Sequence, residues 1–378
     1  MTATTEKKQI PLLDLPAQLK RIREEVLAAI VRVVDSQKFI LGEEVQKLEE
    51  ALAPYCGCQY AVGCASGSDA LLLALMALDI GHGDEVLTTP YTFFATAGAI
   101  SQVGAVPVFA DIDERMFHID AGRMAEALAA HPKIRAVIPV HLFGGCADMD
   151  PILEMAAGRG IPVIEDAAQS IGAEYKGRRA GGMGRIACFS FYPTKNLGGY
   201  GDGGLVTTND AELVGKLAAL RSHGSTTKYF HPWIGVNSHM DALQAAVLRV
   251  KFRYLDGWSE GRRKNAERYR AELVRVGAPV IPPMPAGYQT RHIYNQFVIR
   301  APRRDELQAY LKGEGVGTEV YYPLPLHLQP CYAFLGLKPG DFPVSERLAT
   351  EALALPIHPE LAAEDIEYVC EAMGRFYR

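Results

Sequence analysis

Between residues 60 and 210, short apolar β-rich runs alternate with stretches of helical spacing. Ala61–Cys64, Glu85–Thr89, Val106–Ala110, Ala136–Val140, Pro162–Glu165, Ile186–Phe191 and Gly204–Thr208 read as buried strands. Asp69–Leu78, Phe94–Gln102, Asp120–Ala130 and Asp148–Arg159 read as the helices between them. This alternation predicts an α/β fold with a largely parallel sheet covered by helices on both faces. In such sheets ligands gather outside the carboxyl ends of the strands. Upstream, Ala17–Asp35 and Glu43–Ala53 read as amphipathic helices separated by a turn at Gly42. Downstream, Asp241–Tyr254 and Ser259–Val276 read as long helices leading out of the sheet.

After residue 277 the texture changes. A run of prolines (Pro279, Pro282, Pro283, Pro285) precedes two β-like stretches, Gln296–Ile299 and Gly317–Tyr321, with helical segments at Asp305–Lys312 and Ala363–Phe376. The pattern predicts two domains: a large one over residues 1–250, including the N-terminal helices, and a small α+β one over residues 251–378.

Composition narrows the function classes. At 48% hydrophobic and 22% charged residues, the 378-residue chain is an ordinary globular protein. A net charge of −5 without a basic run argues against nucleic acid or an anionic membrane as a partner. The longest clean apolar stretch, Ala70–Leu78, falls short of the roughly 20 residues that cross a bilayer. The opening MTATTEKKQIPLLDL has no apolar signal core, so the expected location is cytoplasmic. Seven cysteines are too few for a disulfide framework in this length. Without finger-like Cys pairs or an H-E-x-x-H, no metal site is expected.

The candidate chemistry lies at predicted strand ends. Asp166, in IEDAAQSIG, closes an apolar strand ahead of a predicted helix start; it is either a helix N-cap or a carboxylate at the ligand edge. Gln169 either closes a capping box or reaches a ligand oxygen. In CFSFYPTKNLGGYGDGG a strand ends at a proline and Lys195 follows in a constrained loop, the setting of a desolvated amine suited to Schiff-base chemistry. Gly199, Gly201 and Gly204 match G-x-G-x-x-G but lead into the β-rich LVTT rather than a helix, so the dinucleotide reading is rejected. Ser66, Gly67 and Ser68 open a helix whose free N–H groups suit a phosphate, although a plain strand-to-helix turn has the same look. Phe93 and Phe94 follow a strand; such rings are usually core, yet one could lie flat on a planar cofactor. Pyridoxal 5'-phosphate requires a lysine, an acidic group for its pyridine nitrogen, a phosphate cup and a flat apolar face. Lys195, Asp166, the Ser66–Ser68 turn with Ser190, and Phe93 supply these.

At this point the sequence resembles the DegT/DnrJ/EryC1/StrS family of pyridoxal-phosphate-dependent sugar aminotransferases. The likeness runs from IPLLDL and KFILGEEVQKLEEALA through SGSDALLLAL, PYTFFATAGAI, IEDAAQSIGAEYKG and FSFYPTKNLGGYGDGG to GVNSHMDALQAAVL, YYPLPLHLQPCY and LALPIHPEL. It implies the aspartate-aminotransferase-like fold (fold type I), with a large domain around a seven-stranded sheet and a small C-terminal domain. It implies that Lys195 forms the imine and shuttles the proton, and that Asp166 keeps the pyridine nitrogen protonated. Gln169 would contact the ring hydroxyl and Phe93 would stack on the ring. Gly67, Ser68 and Ser190 would bind the phosphate. Asn237 would reach the phosphate of a neighbouring subunit in a homodimer with shared sites, and His327 and Tyr321 would lie near the sugar.

The implied reaction moves the amino group of L-glutamate onto a keto group of a dTDP- or UDP-linked sugar. The K-N-L-G and N-S-x-x-D-x-L-Q-A-A variants look more like members that aminate the 3-carbon than the 4-carbon. Three departures stand out: SGS where SGT is usual, GDGG where GEGG is common, and His239 where an arginine is common. A sugar dehydratase would carry histidine in place of Lys195, and a non-catalytic, cofactor-binding regulator is the remaining alternative.

Overall fold

The computed structural model describes residues 8–378; the start of the N-terminal stretch discussed above lies outside them. Strands β1 (Tyr60–Cys64), β2 (Glu85–Thr88), β3 (Val106–Phe109), β4 (Ile134–Val137) and β5 (Ile164–Asp166) come first. They are followed by a short hairpin, β6 (Glu174–Tyr175) and β7 (Arg178–Arg179), then by β8 (Ile186–Ser190) and β9 (Gly204–Thr208). β1, β9, β8 and β5 pair in that order, and β3, β2 and β4 form a parallel set. The two sets join where Val137 N–H donates to Pro162 O (3.1 Å) and Asp166 N–H to Pro139 O (3.0 Å). The result is one seven-stranded sheet in the order β1-β9-β8-β5-β4-β2-β3, with only β9 antiparallel to its neighbours.

The strands read as continuous apolar runs because both faces are covered. Along β8, Ile186 and Cys188 pack on one side with Leu71, Ile164 and Leu217. The alternate residues Ala187 and Phe189 pack on the other with Leu48, Val137 and Leu248. Helix starts follow side-chain caps: Ser66 Oγ accepts from Asp69 N–H (3.1 Å), and Asp120 Oδ1 from Arg123 N–H (2.9 Å).

β10 (Phe297–Arg300) and β11 (Ala352–Leu355) form an antiparallel pair beside helices Arg304–Gly313, Pro343–Glu351 and Ala363–Tyr377. Their core contains Phe297, Leu307, Leu355 and Val369, with Tyr269 and Leu273 from the long helix Leu255–Val276. Ile10 joins this core: its N–H donates to Gly315 O (2.9 Å) and its carbonyl accepts from Gly317 N–H (2.8 Å). Buried Arg262 ties the unit to the long helix by donating to the carbonyls of Tyr294 (3.0 Å), Asn295 (3.3 Å) and Ile357 (2.9 Å).

Three local expectations change. No helix follows Asp166; the backbone turns instead, with Ser170 N–H donating to Ala167 O (2.9 Å) and Ala173 N–H to Ser170 O (2.9 Å). The Gly317–Tyr321 run is not a strand and is bridged to β11 only at Glu319. Helices Ala211–Leu220 and Pro343–Glu351 are additional to those read from periodicity. Among the described residues, no helix is long and apolar enough to cross a membrane.

Candidate active site

The parallel strands β1, β2, β5 and β8 deliver the candidate residues to one edge of the sheet. β5 ends on Asp166, which is 5% exposed. Thr96 Oγ1, in the first turn of the helix Ala95–Gln102, donates to Asp166 Oδ2 (2.7 Å), and Ala168 N–H donates to Oδ1 (3.2 Å). Asp166 is therefore an oriented buried carboxylate in a turn, not a helix cap. Burial pushes its carboxyl up, against the opposing pull of these two bonds and of Lys195.

Lys195 lies five residues beyond β8, its N–H donating to Tyr192 O (2.9 Å). Desolvation brings its amine down to about 8 from the ordinary 10.5, while Asp166 pulls the other way. The loop beyond it is pinned at three points. Asn196 Nδ2 donates to Ile293 O (3.1 Å), Gly199 N–H to Phe191 O (2.7 Å) and Tyr200 N–H to Gln244 Oε1 (2.7 Å).

The turn at Ser66–Ser68 leaves the N–H groups of Gly67 and Ser68 without an acceptor among the described residues; the Ser66 hydroxyl is spent on capping. Ser190, at the end of β8, lies against this turn, and a Cβ on Gly67 would sit 2.6 Å from Ser190 Cβ. Gly204 is equally close-packed: a Cβ there would sit 2.2 Å from Ser66 O. Gln169 is buried, with Oε1 accepting from Phe143 N–H (2.7 Å) and Nε2 donating to the Tyr322 hydroxyl (3.2 Å). Phe93 is 57% exposed, its ring 6.2 Å from that of Tyr322.

The remaining candidates lie elsewhere. Asn237 is exposed and its side chain bonds to none of these residues, although the next residue does approach the turn: Ser238 Oγ donates to Asp69 Oδ2 (2.7 Å). Beside Asn237 runs a loop with Tyr229 and Ile234 nearly fully exposed, Lys228 lying over the Tyr229 ring. His327 is buried, with Nε2 paired to Glu346 Oε1 (3.1 Å) and its ring against Phe342. Tyr321 contributes its carbonyl, accepting from the Tyr91 hydroxyl (2.7 Å).

Residues 20–374 match the model of the DegT/DnrJ/EryC1/StrS aminotransferase family. The chain belongs to this family. A "pleiotropic regulatory protein" of Geobacillus stearothermophilus is 50% identical, covering 98% of this chain and 99% of the relative. A UDP-N-acetyl-3-dehydro-alpha-D-glucosamine 3-aminotransferase of Acidithiobacillus ferrooxidans is 44% identical over 98% of this chain and 99% of its own. Among solved structures, DesV of S. venezuelae, in complex with a ketimine intermediate, superposes with a TM-score of 0.94 at 42% identity, covering 97% of this chain and 98% of that one. The fold is that of the pyridoxal-phosphate-dependent aminotransferases, and the chain is one of them.

The site of this aminotransferase fits its cofactor on its own geometry. A buried carboxylate has two hydrogen-bond donors but no cation within ion-pair distance among the described residues, which suits a protonated ring nitrogen. Unclaimed N–H groups at a helix start suit a phosphate. Two residues escaped the sequence reading. Thr96 looks there like any helix residue, and its role depends on a partner 70 positions away. Tyr322 stands beside the expected Tyr321 in YYPLPLHLQPCY, and only the chain path shows which ring turns inward.

Proposed function

We propose that this aminotransferase moves the amino group of L-glutamate onto the 3-keto carbon of a UDP- or dTDP-linked sugar, as a cytoplasmic homodimer. The observation that carries the reading is a desolvated amine, Lys195, within electrostatic reach of an oriented buried carboxylate, Asp166. The 3-carbon is supported by the name of the Acidithiobacillus relative and by the K-N-L-G and N-S-x-x-D-x-L-Q-A-A sequences. The site would lie where a large domain, residues 1–250, meets a small one, residues 251–378.

Pyridoxal phosphate, when bound, supplies a carbonyl that takes up amino groups and a ring that withdraws electrons from the neighbouring carbon. This chain's residues do the rest. Lys195 Nζ, partly neutral at physiological pH, takes up a proton and returns it to the acceptor carbon. Asp166 carries the negative charge that keeps the ring nitrogen protonated, and Thr96 holds that carboxylate in place. Gln169 addresses the ring oxygen, and Phe93 covers one face. Gly67, Ser68 and the Ser190 hydroxyl hold the phosphate, with Ser66 shaping their turn. Asn237 completes the phosphate site of the second subunit. Tyr321 and His327 border the sugar through the segment they fix, with His327 Nε2 held by Glu346.

The test is transfer from 15N-labelled L-glutamate to a 3-keto nucleotide sugar and to its 4-keto isomer, read by NMR. Label on carbon 3 is expected; label on carbon 4 alone would move the assignment to that position. The name of the Geobacillus relative favours a second, regulatory reading, which gains if no keto sugar accepts label although glutamate binds. Sharing of sites has its own test. Mixing the inactive variants Lys195→Ala and Asn237→Ala should restore activity, because a mixed dimer contains one intact site. No restoration would place Asn237 outside the partner's site.

A further inference from the structure

Tyr322 is the one side chain of the C-terminal unit that bonds to a member of the cofactor constellation. Its hydroxyl accepts from Gln169 Nε2 at 3.2 Å, across 153 positions of sequence. The opposite end of that carboxamide is fixed as well, since Gln169 Oε1 accepts from Phe143 N–H at 2.7 Å. With the oxygen committed to Phe143, the NH2 end must face Tyr322. One of its two hydrogens is then engaged and the other is free.

Tyr322 is itself placed with care. The buried Tyr91 hydroxyl holds the 321–322 peptide by both of its polar groups, donating to Tyr321 O (2.7 Å) and accepting from Tyr322 N–H (3.1 Å). The Tyr322 ring lies 6.2 Å from both the Tyr91 and Phe93 rings, contacts that a phenylalanine would make equally well. The hydroxyl is what needs a reason. Among the described residues its only partner is Gln169, and its own proton has no acceptor. Burial raises the phenol well above its ordinary range, so it stays neutral and able to accept at any working pH.

We propose that Tyr322 is a positioning residue for the cofactor: it holds the Gln169 carboxamide so that the free Nε2 hydrogen faces the ring oxygen. This rests on the reading that Gln169 addresses that oxygen. A donor there stabilises the anionic oxygen, so weakening it makes the ring system hold its proton to higher pH. Without the Tyr322 hydroxyl the carboxamide keeps its bond to Phe143, but its NH2 end is free to turn.

The experiment is a pH titration of the visible absorption band of holoenzyme carrying Tyr322→Phe, Gln169→Leu or both. The expected result is an upward shift of the midpoint in Tyr322→Phe by about half a pH unit, the effect of one hydrogen bond of ordinary net strength. Gln169→Leu should shift it further, and adding Tyr322→Phe to Gln169→Leu should change nothing more. An unshifted Tyr322→Phe beside a shifted Gln169→Leu overturns the proposal and leaves the Gln169 reading standing. No shift in either variant overturns both, and additive shifts overturn the claim that Tyr322 acts through Gln169. Tyr91→Phe, which loosens the grip on residues 321–322, is a second route to the same question and should shift the midpoint in the same direction.

Discussion

The lowered amine of Lys195 sets how fast the empty protein captures its cofactor. With a pKa of about 8, about one Lys195 in ten is neutral at pH 7; at the ordinary 10.5 it would be about one in three thousand, a difference of about 300-fold. Only the neutral amine attacks a carbonyl. Stopped-flow absorbance follows cofactor capture by apoprotein and by Nα-acetyl-lysine; the ratio of the two rates, multiplied by the known neutral fraction of the free amine, cancels the reagent's own titration and leaves this fraction. The protein's rate should rise about tenfold from pH 6 to 7 and only about twofold from pH 8 to 9. The free amine should rise about tenfold over both intervals. Asp166→Asn removes the one charge that pulls the amine upward, so its midpoint should fall below that of the wild type. A Lys195 rate that keeps climbing tenfold per unit through pH 9 would refute the claim that the fold desolvates this amine, and with it the reason for this loop.

Other perturbations probe the supports of the site. Gly67→Ala puts a Cβ 2.6 Å from Ser190 Cβ, so equilibrium dialysis should show cofactor affinity falling at least about tenfold, the cost of about 1.4 kcal/mol in a displaced cradle. Thr96→Val removes the 2.7 Å donor to buried Asp166 and should cost about 1–2 kcal/mol in urea unfolding at pH 7; an unchanged midpoint would mean the carboxylate does not depend on it. Arg262→Met strands three buried carbonyls and should lower stability by about 3 kcal/mol or more, seen as a reduced Tm without loss of the secondary-structure signal at low temperature.

The sheet was legible because its strands are buried on both faces and therefore stand out as apolar runs between helical spacings. The candidate pair, Asp166 and Lys195, stands out for a related reason. An acid and a lysine at the ends of such runs have few structural reasons to be there. The DAAQSIG segment misled because its composition suits a helix. The Asp166 side chain instead accepts from Ala168 N–H and commits the backbone to turns. Tyr321 and Tyr322 are indistinguishable in sequence, and the choice between them is made by Tyr91, some 230 positions earlier. His327 shows the opposite limit: a histidine in a promising motif whose Nε2 is taken up by Glu346. The helix Ala211–Leu220 had its signals in plain view, an Asp210 cap and apolar spacing. Asn237, exposed and bonded to none of the site residues of its own chain, has its proposed role in a second subunit.

The central claim is that Lys195 and Asp166 form a working aminotransferase site. The most direct test is the absorption spectrum of the purified protein supplied with pyridoxal phosphate, before and after L-glutamate. The account predicts a visible band, absent in Lys195→Ala, that bleaches as the amino group is taken up. No visible band, or a band that L-glutamate leaves unchanged, would contradict it.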